Sequence, residues 1–261
     1  TEHMLFKATQ KRSASQIINR LEAVGGELNA YTTKEETVVY AVSLRRDLPR
    51  AVELVSDVCL NVCFLPDNLN KEKEVVRDEI DSYLDSPAES IIDDFEDAVF
   101  SGYAIGRNIL GTKQSLADVT VNRLQAFYDR TYTPDRQLLF MMGDITPQQA
   151  EKWAYRYFNT KTGVRNFTRQ CPTNYEPCAL TSNKQTSQAH CLIGGRAPSM
   201  FDADRYAFSL LINILGGPST NSRLNMSLRE RHALVYQVEA QYTPYTDTGI
   251  WSVYLGTDHL D

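Results

Sequence analysis

Apolar residues recur along this chain at two spacings, and each spacing marks a different kind of element. In residues 13–24, Ile17, Ile18, Leu21 and Val24 form one helical stripe, Ser15 is a candidate cap, and Gly25-Gly26 supplies a stop. Residues 2–6 read as the end of an earlier helix. Residues 27–33 and 37–44 instead alternate as β-strands do, with Lys34-Glu35-Glu36 as the turn between them. Asp47-Leu48-Pro49 then opens a helix to about residue 64, with proline at an early, tolerated position. Pro66-Asp67 opens a long amphipathic helix that ends before Pro87. More helix is expected over 88–100, 116–128 and 146–158, a glycine-spaced segment over 102–111, and a strand over 137–143.

The stretch 159–183 has few apolar residues and two prolines, and reads as a linker. Beyond it the themes return: a strand over 187–194, a helix over 202–215 closed by Gly216-Gly217, a helix over 223–231, and strands over 234–242 and 249–256. The order predicts an α+β fold of two related domains, each a mostly antiparallel sheet with helices packed against it. Their expected bounds are 1–170 and 185–261, joined by 171–184, and the second domain reads as incomplete.

Composition narrows the function classes. The 261 residues are 42% apolar and 23% charged, the balance of an ordinary globular protein. No run approaches the roughly 20 apolar residues of a membrane span. A net charge of −6 argues against nucleic acid as a partner. Of the five cysteines, Cys59 and Cys63 read as buried helix thiols, and a Cys171–Cys178 pairing stays open. None of the cysteine spacings makes a zinc set.

On a helical wheel of residues 68–84, Leu69, Val75, Val76, Ile80 and Tyr83 share one arc. Glu72 and Glu79, seven apart, fall in the middle of that arc. A carboxylate facing a core costs several kcal/mol unless a cation or strong donors meet it. Three readings follow. One is a buried pair with lysine or arginine, and another is an arc edge that stays wet. The third is a metal, which needs a nearby histidine or another acid, and the sequence offers His3.

The run Glu2-His3-Met4-Leu5-Phe6-Lys7, with Lys11-Arg12-Ser13-Ala14, Leu28-Asn29-Ala30-Tyr31-Thr32, Lys34-Glu35 and Thr37-Val38-Val39-Tyr40-Ala41, closely resembles the pitrilysin/insulinase family. That family includes bacterial zinc proteases and the mitochondrial processing peptidases. Its inverted zinc motif is H-x-x-E-H, completed by a distant glutamate. The motif's first histidine would lie three residues before Glu2, ahead of Thr1. The resemblance implies that His3 and Glu79 are ligands of Zn²⁺, and that Glu2 is the base that deprotonates the attacking water. Glu72 is then a supporting acid that orients a ligand. It further implies a metalloendopeptidase acting on peptides or unfolded segments. With one histidine of the set outside it, this chain is expected to bind zinc poorly and to show little activity.

Other matches concern substrate. The resemblance places Asn29 and Ala30 on an exposed strand edge that an extended peptide can join by main-chain hydrogen bonds. Arg229 and Tyr236 match a pair that contacts substrate or the developing oxyanion and, in family dimers, reaches the partner's active site. The partner is thus a second copy or a related subunit. Ala233 stands where the family often has glycine. His190, His232 and His259 are read as ordinary surface or packed histidines. The competing function is a non-catalytic binding or assembly subunit of the same fold; a plain scaffold with a buried ion pair leaves the motif matches unexplained. Family members work in several compartments, so no location is assigned.

Overall fold

The computed structural model describes residues 1–158 and 169–258. Part of the expected linker, 159–168, and His259 lie outside the described residues. The helices are α1 (Glu2–Leu5), α2 (Ala14–Glu22), α3 (Leu48–Leu60), α4 (Pro66–Leu84), α5 (Pro87–Val99), α6 (Lys113–Ala117), α7 (Val121–Thr131), α8 (Pro147–Tyr157) and α9 (Arg205–Gly216). The strands are β1 (Glu27–Thr32), β2 (Thr37–Val42), β3 (Gln188–Ala197), β4 (Gln237–Pro244) and β5 (Gly249–Asp258). Helices and antiparallel sheets together make the expected α+β class. Among the described residues no helix is long and apolar enough to cross a membrane. The chain divides into two compact units: Thr1–Asp78 with Thr112–Thr168, and Glu79–Gly111 with Arg169–Asp261.

In the first unit, β1 and β2 form a hairpin whose register runs from Glu27↔Val42 to Thr32↔Thr37. Ile17 and Leu21 of α2 are fully buried against Ala51, Leu54 and Val58 of α3, while Ile18 is half exposed. Ser13, rather than Ser15, caps α2, and its amide donates to the Gln16 carboxamide oxygen at 2.9 Å. The helix ends at Glu22, and the chain turns away through Gly25, whose φ of +74° favours glycine. A second cluster joins Met4 and Leu5 of α1 to Val62, Phe64, Leu69 and Leu124.

Two expected elements change. The helix over 116–128 is broken into α6 and α7, because Thr120 accepts from the Arg123 amide at 3.2 Å and starts a new helix. Residues 137–143 form no strand. Their alternation survives as exposed Leu138, Phe140 and Met142, but no ladder partner exists among the described residues. Alternation fixes which way side chains point; pairing needs a neighbour.

The second unit holds a three-stranded antiparallel sheet in the order β3-β5-β4. α9 lies on it, with Ile212 packed among Ala240 and Val253. α5 presses on β3 so closely that a Cβ at Gly194 would meet the Phe95 ring at 2.9 Å and the Trp251 carbonyl oxygen at 2.0 Å. Arg196 donates to the carbonyls of Val99, Pro172 and Asn174, each at 3.1 Å, and stacks over the Phe100 ring. It thereby fastens 172–174 to this unit. The expected helix over 223–231 is π-helical across Asn225–Arg231.

Ala233 follows that segment with φ of 49°, the one positive value among the described non-glycine residues. The left-handed region costs a residue with a Cβ about 1 kcal/mol or more. Ala233→Gly is therefore expected to stabilise the second unit by about 1 kcal/mol in chemical denaturation. An unchanged or lowered midpoint would show that the turn carries no such strain.

Candidate active site

The site is built on α1, a helix of four residues that cannot hold itself in place. Two of the four, Met4 and Leu5, are buried and anchor it, each contributing about 1.5–3 kcal/mol of apolar burial. The chain after it is pinned to the segment beyond α3. The Cys63 amide donates to the Ala8 carbonyl at 2.9 Å, and the Gln10 amide to that of Asn61 at 3.0 Å. Asp57, 2% exposed, accepts from Thr9 at 2.9 Å, from Arg12 at 2.5 Å and from Asn61 at 3.1 Å. With α1 fixed from both sides, Glu2 and His3 have defined neighbours.

The His3 neighbour is Glu72 of α4. Its Oε2 lies 3.3 Å from His3 Nδ1, and its Oε1 accepts from Lys7 Nζ at 2.6 Å. Glu72 is 7% exposed, so the lysine charge and the imidazole offset a large desolvation cost. Glu72 thus has a cation and also holds a histidine.

The Glu2 neighbours are hydroxyls. Thr32, the last residue of β1, donates to Glu2 Oε2. Thr37, its cross-strand partner, has its own hydroxyl oxygen 3.2 Å from that of Thr32. Burial, aided by the nearby Cys59 and Glu2, pushes the Tyr132 phenol up to about 12, so it keeps its proton.

Glu79 lies on α4 two turns beyond Glu72 and is exposed, and Val75 is half exposed. The wheel therefore fails for the arc as a whole, and of its two carboxylates only Glu72 is buried. α4 packs through Leu69 and Ile80 over a stripe narrower than the apolar arc suggests. Asn29 and Ala30 stand on β1, three and two residues before Thr32. The Asn29 side chain is exposed and its oxygen accepts from the Ala30 amide at 2.8 Å. Among the described residues β1 pairs with β2 alone, which leaves its other edge without a strand. Arg229 and Tyr236 belong to the second unit, both exposed, Tyr236 by 76%.

His190 bonds the Tyr254 hydroxyl at 2.7 Å and His232 the Ser227 carbonyl at 2.7 Å. All five cysteines are free, so the Cys171–Cys178 pairing left open by spacing is not formed. Burial pushes the Cys59 thiol up to about 12. A surface pocket of about 510 Å³ lined by Leu44, Arg45, Ile145 and Trp153 contains none of the candidate residues.

Zinc fits His3. An imidazole whose Nδ1 is engaged by a carboxylate presents Nε2 as the ligating atom, the common arrangement behind zinc histidines. Among the described residues no group of three histidines, cysteines or acids could hold a metal ion on its own. Lys7, Thr32, Thr37 and Tyr132 are not singled out by the sequence. The one signal for Lys7 is its four-residue spacing from His3.

Removing the lysine leaves Glu72 buried beside an imidazole alone. Lys7→Met is expected to cost about 2 kcal/mol in thermal or chemical unfolding, discounted for the partial exposure of Lys7. Adding Glu72→Gln should recover at least half. A loss below about 0.5 kcal/mol would mean the pair is screened as a surface bridge is.

Residues 1–113 match the family model described as Insulinase (Peptidase family M16), and residues 118–261 that of the Peptidase M16 inactive domain. An uncharacterized zinc protease of Mycobacterium leprae is 35% identical over 259 residues, 97% of this chain and 58% of the relative. The uncharacterized zinc protease YmxG of Bacillus subtilis is 33% identical over 261 residues, 98% of this chain and 62% of the relative. A Helicobacter pylori protease superposes with a TM-score of 0.90 at 19% identity, over 98% of this chain and 64% of that one. A peptidase M16 inactive domain from Pseudomonas fluorescens does so at 0.89 and 19%, over 98% and 63%. The chain thus spans about three fifths of the length of these relatives. Glu2, His3, Asn29, Ala30, Glu72 and Glu79 fall within the first family match and Arg229 and Tyr236 within the second, and the chain belongs to the insulinase family of peptidases, M16.

Proposed function

We propose that this chain is part of a zinc-dependent endopeptidase that hydrolyses peptide bonds in peptides or unfolded segments. The observation that carries this reading is Glu72, buried at 7% exposure yet holding His3 Nδ1. A scaffold needs no histidine on that carboxylate. His3 and Glu79 would hold the zinc, together with the histidine that the motif places ahead of Thr1. Bound zinc supplies Lewis-acid activation of water and of the scissile carbonyl.

The remaining work falls to side chains of this chain. Glu2, engaged at Oε2 by Thr32, takes the proton of the attacking water on Oε1 and returns it to the leaving amine. Glu72, held by Lys7, keeps the His3 ring in one orientation. The edge of β1 at Asn29 and Ala30, which carries no strand among the described residues, takes an extended substrate as an added strand, which favours unfolded segments over folded ones. Arg229 and Tyr236 steady the developing oxyanion, in a dimer with a second copy or a related subunit.

A non-catalytic binding subunit is the second reading. It is favoured by the inactive-domain match over 118–261. Elemental analysis separates the two on a form that carries the whole motif. About one zinc per chain is expected, lost in Glu79→Gln. Glu2→Gln should keep its zinc and lose roughly 100- to 10,000-fold in peptide hydrolysis. A whole-motif protein without zinc would overturn the peptidase reading in favour of the binding subunit.

A further inference from the structure

We infer that Thr32 is a positioning residue for Glu2, and that Thr37 behind it donates to Thr32, so that two hydroxyls run one way into the Glu2 carboxylate. This rests on the reading of Glu2 as the base. The direction of the chain follows from its hydrogens. An ionised carboxylate only accepts, so the Thr32 proton must go to Glu2 Oε2. Each threonine hydroxyl has a single hydrogen. With its own committed, the Thr32 oxygen can only accept from Thr37, 3.2 Å away. Every hydrogen in the chain points toward the acid.

The arrangement has two consequences at the site. The first is geometric. Glu2 belongs to a four-residue helix and has a long, flexible side chain; one hydrogen bond from a rigid strand end removes most of that freedom. Thr32 is β-branched and sits in register opposite Thr37, so its own rotamer is restricted. The second is chemical. With Oε2 engaged, Oε1 is the oxygen that takes the proton of the attacking water. The O–H bond of water breaks, the carboxyl O–H bond forms on Oε1, and the same proton later goes to the leaving nitrogen. Aligned hydroxyls polarise one another, which strengthens the final bond to the acid.

The test uses the full-length holoenzyme, a fluorogenic peptide, and the variants Thr32→Val, Thr32→Ser and Glu2→Gln. Valine keeps the shape of threonine and removes its hydroxyl. Thr32→Val is expected to lower kcat about 10- to 100-fold with KM and zinc content unchanged. Thr32→Ser should restore kcat to within about 3-fold of the parent, and Thr37→Val should show a smaller fall than Thr32→Val. Adding Thr32→Val to Glu2→Gln should cause no further loss, because both act through one carboxylate. Normal kcat in zinc-loaded Thr32→Val, with Glu2→Gln inactive, overturns the inference and leaves the base assignment standing. So does an equal loss in the valine and serine variants with KM raised, the mark of a purely structural role. Activity retained in Glu2→Gln overturns the base assignment, and the inference with it.

Discussion

A carboxylate removed from water has to be met by charge or by strong donors, and at Glu72 that requirement organises the first unit. The acid is delivered by α4, a long helix whose position is set by its own packing through Leu69 and Ile80. Its partners come from the other end of the sequence, His3 and Lys7, on either side of Met4 and Leu5. These four residues divide the work. Met4 and Leu5 anchor a helix too short to stand alone, and His3 and Lys7 close on the acid. Loss of the anchoring would separate the charges, and loss of Lys7 would leave the buried carboxylate without its cation. Each feature therefore depends on the other.

Glu2 stands one residue from His3 and lives in a different chemical setting, where its hydrogen bond comes from the Thr32 hydroxyl. Two acids of one site are thus held in contrasting ways, one by opposite charge and one by a neutral donor. In the proposed reading Glu72 positions His3 and Glu2 transfers the proton.

The elements around this site are readable in the sequence because their signals are local. Ile17 and Leu21 repeat at helical spacing and are fully buried, and the run of β-formers around Lys34-Glu35-Glu36 gives the hairpin. Signals fail where the deciding partner is distant or where a single side chain overrides the pattern. Thr120 breaks an expected helix through a cap whose pull on the chain a periodicity count ignores. Residues 137–143 carry a faithful strand alternation and, among the described residues, have no neighbour to pair with. Glu79 and Glu72 occupy equivalent wheel positions, yet the packed stripe narrows and leaves Glu79 exposed. Thr32 and Lys7 are hidden for the same reason: a threonine in a strand and a lysine near a helix end are ordinary until the third dimension supplies Glu2 and Glu72.

If His3, backed by Glu72, belongs to a zinc shell of imidazole and carboxylate, X-ray absorption at the zinc edge will show it on zinc-loaded protein carrying the whole motif. The expected spectrum has a first shell of nitrogen and oxygen at about 2.0–2.2 Å with imidazole scattering beyond it, reduced in His3→Ala. A sulfur shell near roughly 2.3 Å, or a spectrum that His3→Ala leaves unchanged, would contradict that assignment.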